Sequence, residues 1–339
     1  MKPTTSDFAG ASEHPRETEH WQARLFCRNG QSRSLGREAI QAAASEDELL
    51  WVDVTAPTTE TLAMLCRQLG IAPLLEPLMS DWRTAPRLAN THDQFAVQAF
   101  FARHEGALRF EGVPVMLLAG RGYIVSVHPT AIDDIETLLQ REGDDGALGS
   151  LDSAQFLCSL LDWQLASFHV GVSHFEAEVE RVEEGILNDR MDERTEAIAR
   201  LRNAASRLRR MLESHRTVFA AMARPDFRPQ EGGSAGRAFD HLYQNFHHAM
   251  QDVEGMRETV GGTLALVTNQ MTLRTSRSMR LLTFVTMIFG MVAIVTGALG
   301  MNFELPIYKR GWSAFGIAVG MIAITCAVLL WWGRRRHWY

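Results

Sequence analysis

A chain of 339 residues has room for two or three domains, and its formal net charge of −6 conceals two oppositely charged parts. Residues 271–339 carry eight Lys/Arg against one acid, Glu304, a net of +7 that leaves −13 on the first 270 residues. This pattern fits a membrane-anchored acidic body and not a nucleic-acid binder, while Cys27, Cys66, Cys158 and Cys326 lack the spacing of a disulfide framework or a metal knuckle.

Residues 1–20 are polar, without an apolar run, and read as a disordered leader with no secretory signal. Residues 21–149 mix short strands with helices, an α/β domain. The β-rich run Leu49–Val54 leads into Thr55-Ala56-Pro57-Thr58, which opens a helix that Leu69-Gly70 closes. Phe95–Phe101, Val113–Leu118 and Tyr123–Val127 are further strand candidates, punctuated by Gly and Pro.

Residues 150–235 read as a helical pair. Phe156, Leu160, Leu161, Leu165, Phe168, Val172, Phe175, Val179, Val182 and Ile186 recur at three- and four-residue steps along one helix face. Glu176, Glu178, Glu180, Glu183 and Glu184 make the other face acidic, and an arginine-rich helix from Asp192 to Ala223 follows. An antiparallel pair with opposite charges facing is expected, ended by the breaker Pro225–Gly236. The acidic run reads as a solvated face ahead of a cation-attracting one.

Residues 236–280 form a stalk. A heptad places Tyr243, Met250, Arg257, Leu264 and Met271 on one seam line and Phe246, Val253, Val260, Val267 and Arg274 on the other. Gly261-Gly262 costs on the order of 1 kcal/mol per Gly without ending a helix. One helix from Asp240 to Leu299, about 90 Å long, is therefore expected. Residues 281–339 supply two apolar spans, Leu281–Phe303 and Gly311–Gly333, each long enough to cross a hydrocarbon layer of roughly 30 Å. Arginines before the first and after the second place both termini in the cytoplasm, against the pull of Lys309 and Arg310 in the connecting loop. The whole reads as an α+β membrane protein: an N-terminal α/β cytoplasmic domain, a long helical stalk and two C-terminal transmembrane helices.

Gly300-Met301-Asn302 closes the first span. In that position, followed by Phe303, with Trp51-Val52-Asp53-Val54 and Pro57, Leu69-Gly70-Ile71, Arg83 with Pro86-Arg87, and Ile124-Val125-Ser126-Val127-His128, the chain resembles the CorA family of divalent cation channels and transporters over roughly residues 21–339. The resemblance implies a homopentameric funnel in an inner membrane, its stalk continuing into a pore-lining helix. It implies a selectivity filter at Gly300, Met301 and Asn302, with five Asn302 amides contacting a metal ion through its hydration shell. Mg²⁺ dehydrates reluctantly, so such a filter need not strip its water, and a neutral amide holds the ion weakly enough to release it. Gapless alignment from the triplet puts the family's pore-lining positions at Gly297, Ala293, Gly290, Leu282, Met279 and Ser276, with Leu282 and Met279 as an apolar gate. Ordinary membrane-helix packing is the competing reading of all six.

The chain departs from the family pattern in several places. Gly290-Met291 replaces Met-Pro, Ala293 a Thr, and Leu299 an aromatic residue. In the loop, Glu304 is answered by Lys309 and Arg310 where acids are usual. Tyr243-Gln244-Asn245 replaces Tyr-Asp-His and Ala265 an acid, so weak or absent Mg²⁺-dependent closure is expected. His241, His247 and His248 suggest zinc less than solvated or packed imidazoles. Arg274, Arg277 and Arg280 fit lipid headgroups, or alternatively a basic collar at a pore mouth. No phosphate-binding loop, nucleophile constellation or catalytic carboxylate pair is present, so no enzyme and no cofactor are expected. The expected cargo is Mg²⁺, with Co²⁺ or Ni²⁺ also carried. The alternatives are a Zn²⁺ transporter, proton-coupled or not, and a membrane-anchored structural or regulatory protein without transport.

Overall fold

The computed structural model describes residues 19–27, 31–40, 48–82, 85–106, 108–133, 135, 137–138, 151–187, 192–227, 235–299 and 312–335. They fall into two units, residues 1–261 and 262–339.

In the first unit, β1 (His20–Cys27), β2 (Ser32–Ser34), β3 (Glu48–Thr55), β4 (Arg87–Asn90), β5 (Phe95–His104), β6 (Phe110–Gly120) and β7 (Tyr123–His128) form one seven-stranded sheet ordered β2-β1-β3-β7-β6-β5-β4. Only β3 and β7 run parallel; the other five pairings are antiparallel. The four strands expected from β-rich runs are β3, β5, β6 and β7. Three others lacked such a run: β2 and β4 are short and half-exposed, and the polar positions of His20-Trp21-Gln22-Ala23-Arg24 interrupt the apolar signal of β1.

Alternation within β3 divides its side chains between two covered faces. Leu50, Val52 and Val54 join a core with Leu25, Met116, Leu118, Val125 and Val127, capped by Leu65 and Leu69 of helix α1 (Thr59–Leu69). On the other face Trp51 meets Phe156 edge-on at 5.0 Å. Thr58 Oγ1 accepts the Thr61 N–H at the start of α1, and Gly70, at φ 62°, ends it in the left-handed conformation.

Helix α2 (Ser153–Leu187) lies along β5 and β6 and packs against α3 (Asp192–Glu213). This pairing differs from the expected one of facing charges. Phe168, Val172, Phe175 and Val179 are buried on α2, as are Leu201, Ala204, Ala205, Leu208 and Leu212 on α3. A Cβ on Gly171 would stand 3.3 Å from Leu208, so the backbone approaches closely there. Arg181 pairs instead with Glu178 on its own helix at 2.7 Å, and Arg209 reaches Glu254 on the stalk at 3.5 Å. Bringing charges into the packed contact would require desolvating them, whereas the apolar stripes fill it without that cost.

The expected arginine-rich helix is two helices, α3 and α4 (Arg216–Met222), broken at Ser214-His215. His215 explains the break. Its fully buried ring donates from Nδ1 to Met211 O (2.9 Å) and accepts the Phe100 N–H at Nε2 (2.9 Å), which ties the helix turn to the middle of β5.

Helix α5 (Ala235–Leu299) continues without a stop for 65 residues through Gly261-Gly262, about 98 Å at 1.5 Å per residue. Its buried positions are Phe239, Leu242, Phe246, Ala249, Met250, Val253, Met256, Val260, Thr263, Val267 and Phe284. The Phe246–Val267 seam line stands as expected. The other line runs one residue earlier, through Leu242, Ala249, Met256 and Thr263, while Arg257, Leu264 and Met271 are exposed. Both candidate lines flank the shared one at three- and four-residue steps and are comparably apolar, so spacing alone does not separate them. Helix α6 (Trp312–Arg335) completes the second unit.

Burial pushes the His215 imidazole down to about 4, whereas an unfolded histidine titrates near ~6.5. The unfolded chain therefore binds the proton first, and stability falls as pH drops from about 6.5 towards 4, by on the order of 3 kcal/mol. Urea-unfolding midpoints between those values should decline for the wild type. His215→Gln should start lower, by roughly 1–3 kcal/mol for the disturbed bond to Phe100, and show a flatter decline.

Candidate functional site

The six aligned positions can be placed by helical phase. With about 100° of rotation per residue, Ser276, Met279, Leu282, Gly290, Ala293 and Gly297 all fall within an arc of about 120° on α5. All six are exposed, Met279 at 59% and Leu282 at 60%. Nothing lies within 4 Å of a Cβ built on Gly290 or Gly297. On the opposite side of the helix, Phe284 is buried and Ile288, Val292 and Val295 are half-buried. From Phe284 to Val295 the helix thus has a covered side opposite Gly290 and Ala293, whereas Arg277 and Leu281, earlier on that same side, are exposed.

Arg274, half-buried, and Arg277, exposed, lie across the wheel from those six positions, whereas Arg280, exposed, lies about 40° from Ser276 and donates from Nε to its carbonyl at 3.3 Å. The arc holds no charged residue between Leu264 and Gly297.

The open arc also contains residues that the alignment did not mark. Thr268, Thr272, Thr275, Thr283 and Thr286 lie on it, and each hydroxyl donates to the carbonyl four residues back, at 2.8–2.9 Å. Threonine in an apolar helix commonly satisfies its proton this way, and the oxygen then remains available only as an acceptor. Their signal in the sequence is the three- and four-residue step of Thr, visible once the phase of the open side is known.

Gly300, Met301 and Asn302, together with Glu304, Lys309 and Arg310, lie outside the described residues. Helix α5 is long and apolar enough to cross a membrane by length and composition. Helix α6 is 24 residues long and exposes Val319, Ile324, Val328 and Trp331; the Arg335 guanidinium stands 5.2 Å from the Trp331 ring. Exposed apolar side chains on this scale call for an apolar surrounding.

On the stalk, Asn245 donates from Nδ2 to Asp162 Oδ1 (2.9 Å) and lies 3.2 Å from His241 Nδ1. Burial raises the Asp162 carboxyl, and the Asn245 bond opposes that rise. His247 packs edge-on against Tyr243 at 4.6 Å, and His248 is exposed. Among the described residues no group of three His, Cys, Asp or Glu is arranged to hold a metal. Trp51-Val52-Asp53-Val54 and Ile124–His128 prove to be the adjacent parallel strands β3 and β7, paired Trp51 to Ile124 through Thr55 to His128.

A mixed-sheet domain whose chain continues into a helix long and apolar enough to cross a membrane fits a membrane-anchored protein. Residues 46–335 match the family model described as CorA-like Mg2+ transporter protein. The cobalt/magnesium transport protein CorA of Thermotoga maritima is 20% identical over 292 residues, 85% of this chain and 83% of that one. The complete structure of the CorA magnesium transporter from Methanocaldococcus jannaschii superposes with a TM-score of 0.70 at 20% identity, covering 94% of this chain and 98% of that one. The full-length CmaX protein gives a TM-score of 0.65 at 21% identity, with 94% and 97% covered. The chain belongs to the CorA family of divalent cation transporters, which are inner-membrane proteins and not enzymes.

The division of α5 into two sides can be tested by thiol access. In a chain whose four cysteines are replaced, Met279→Cys and Thr286→Cys should react with charged thiol reagents and lose cation flux several-fold. Ile288→Cys should do neither. Equal labelling at all three positions would reject the division.

Proposed function

We propose that five copies of this chain surround a pore in the inner membrane and pass hydrated divalent cations, Mg²⁺ foremost, down the membrane potential. The observation that carries this reading is the open arc of α5. It is uncharged and presents hydroxyls, Gly and Ala beside the apolar Met279, Leu282 and Ile294, with Arg274 and Arg277 across the wheel and Arg280 at its edge. In this arrangement α5 and α6 both span the membrane and both chain ends are cytoplasmic. Asn302, following Gly300 and Met301, forms the ring of amides that meets the ion's waters, and Met279 and Leu282 form the apolar constriction. Gly297, Gly290 and Ala293 leave width for a hydrated ion between the two, while Ser276 and the threonines offer acceptor oxygens. Such neutral ligands bind an ion weakly, which conduction needs. Glu304, Lys309 and Arg310 sit at the outer mouth, where the two cations oppose accumulation of divalent ions.

A weak Mg²⁺ brake follows from the stalk residues. Gln244 and Asn245 carry no charge, Asn245 is engaged by Asp162, and Ala265 is apolar. Flux should therefore stay nearly level as Mg²⁺ is raised through the millimolar range, and steep closure would reject this part of the proposal.

Proteoliposome uptake tests the whole. Mg²⁺ influx should follow an inside-negative potential without a proton gradient, and Asn302→Ala should lower it at least about tenfold with the oligomer intact. Zn²⁺ influx that rises with an inward proton gradient and ignores Mg²⁺ would replace Mg²⁺ with zinc as cargo. No flux of either metal from an intact oligomer would leave a structural or regulatory protein.

A further inference from the structure

At the start of its apolar stretch, α5 borders a cleft of about 590 Å³ lined by Arg277, Ser278, Leu281, Leu282 and Val285. These residues recur at one- and three-residue steps, so they form a single stripe about 12 Å long down the helix. The chemistry of the stripe changes along its length. Arg277 and Ser278 are exposed and polar, and the uncharged run begins just after them at Leu281. Leu281, Leu282 and Val285 then expose 51%, 60% and 37% of their surface.

The order of these residues and their charge indicate what fills the cleft. Because α5 is long and apolar enough to cross a membrane, Arg277 stands at the depth where hydrocarbon gives way to headgroups, and Leu281 and Val285 lie one and two turns deeper. A phospholipid presents a phosphate and then acyl carbons in that same order. Residues 262–299 and 312–335 contain no Asp or Glu. A second copy of this stretch laid on the cleft would therefore bring no carboxylate to Arg277. The nearest acid before it on α5 is Glu258, about 28 Å away along the helix. The anion at hand at that depth is a lipid phosphate, which a guanidinium grips with two parallel N–H bonds. Arg274 and Arg280, three residues to either side, add a positive surface that favours a headgroup of net negative charge.

We propose that this cleft binds one anionic glycerophospholipid, its phosphate on Arg277 and Ser278 and an acyl chain along Leu281 and Val285. Leu282 belongs by phase to both the cleft and the open arc and marks the boundary between them, so the lipid lies beside the arc and not in it. Arg280 does not line the cleft, and its Nε is turned to the Ser276 carbonyl at 3.3 Å. The site depends on α5 crossing the membrane and not on which cation the protein carries.

The test uses the purified full chain in detergent with phosphatidylglycerol or phosphatidylcholine of the same acyl chains, and counts lipids retained per chain by native mass spectrometry. The wild type should retain phosphatidylglycerol at least about five-fold better than phosphatidylcholine. Arg277→Gln should erase most of that preference and Arg280→Gln should keep it. Leu281→Trp, which fills the cleft without altering charge, should lower retention of both lipids. Equal losses in the two arginine variants would reduce the effect to diffuse attraction and overturn the site, as would no loss in Arg277→Gln. A smaller oligomer in Leu281→Trp with lipid retention unchanged would give the cleft to a second copy and likewise overturn it. Cation flux plays no part in these readouts, so their failure is distinct from failure of the transport reading. Should the variants not fold, a phosphatidylglycerol carrying a diazirine early in one acyl chain decides on the wild type. Adducts concentrated in residues 277–285 support the site, and adducts spread evenly along α5 and α6, or absent, overturn it.

Discussion

The register of the buried seam on α5 is the constraint from which the rest of the second unit follows. A helix turns about 100° per residue, so shifting one line of the seam by a single residue rotates every assignment beyond it. Within the second unit, Thr263, Val267 and Phe284 are the buried residues of α5, with Ile288, Val292 and Val295 half-buried after them, and they set its covered side. The opposite side of the same stretch carries Thr268, Thr272, Thr275, Met279, Leu282, Thr283 and Thr286.

The first unit keeps its polar interior by pairing it. His215 gives up a proton and takes one bond at each nitrogen, so its burial suits the neutral ring, and the neighbouring Gln164 amide donates to the Phe100 carbonyl at 2.7 Å. Asp53, Ser126 and His128 form a second linked set, in which Ser126 donates to Asp53 Oδ1 and His128 Nε2 lies 3.1 Å from the same oxygen. Both sets stitch elements distant in sequence: His215 to β5 across 115 residues, and His128 to β3 across 75. Apolar contacts supply most of the driving force, but they are non-directional. These polar links specify which strand and which turn meet.

Sequence periodicity revealed α1 with its Thr58 and Gly70 boundaries, four strands, the long α2 and the single stalk helix, because apolar spacing and capping residues are local signals. It did not reveal β1, whose polar positions interrupt the apolar signal, β2 and β4, which are too short to show a period, nor the break at His215, whose cause is a partner on β5. The seam line of Tyr243 was misplaced by one residue because Leu242 and Tyr243 are both apolar, and only the surface they pack against distinguishes them. Charge misled in the α2–α3 pair, where acidic and arginine-rich faces look complementary on paper but the contact is apolar. At the candidate site, Met279 and Leu282 were reachable through resemblance, whereas Thr283 and Thr286 needed the phase of the open arc.

The distribution of charge along α5 bears on why that arc can be neutral at all. Arg274, Arg277 and Arg280 supply the positive flank of the first span, and arginine near a membrane end can extend its stem to keep the guanidinium among headgroups. Were any of the three on the open arc, five copies would place five fixed positive charges around the proposed path, each repelling a divalent ion with little water between them to screen the force. Threonines in the same phase do the reverse at low strength. Their protons are committed to backbone carbonyls, so the exposed oxygen matches the outward hydrogens of water held by a cation. Selectivity on this reading arises from removing charge from the path and leaving weak acceptors there.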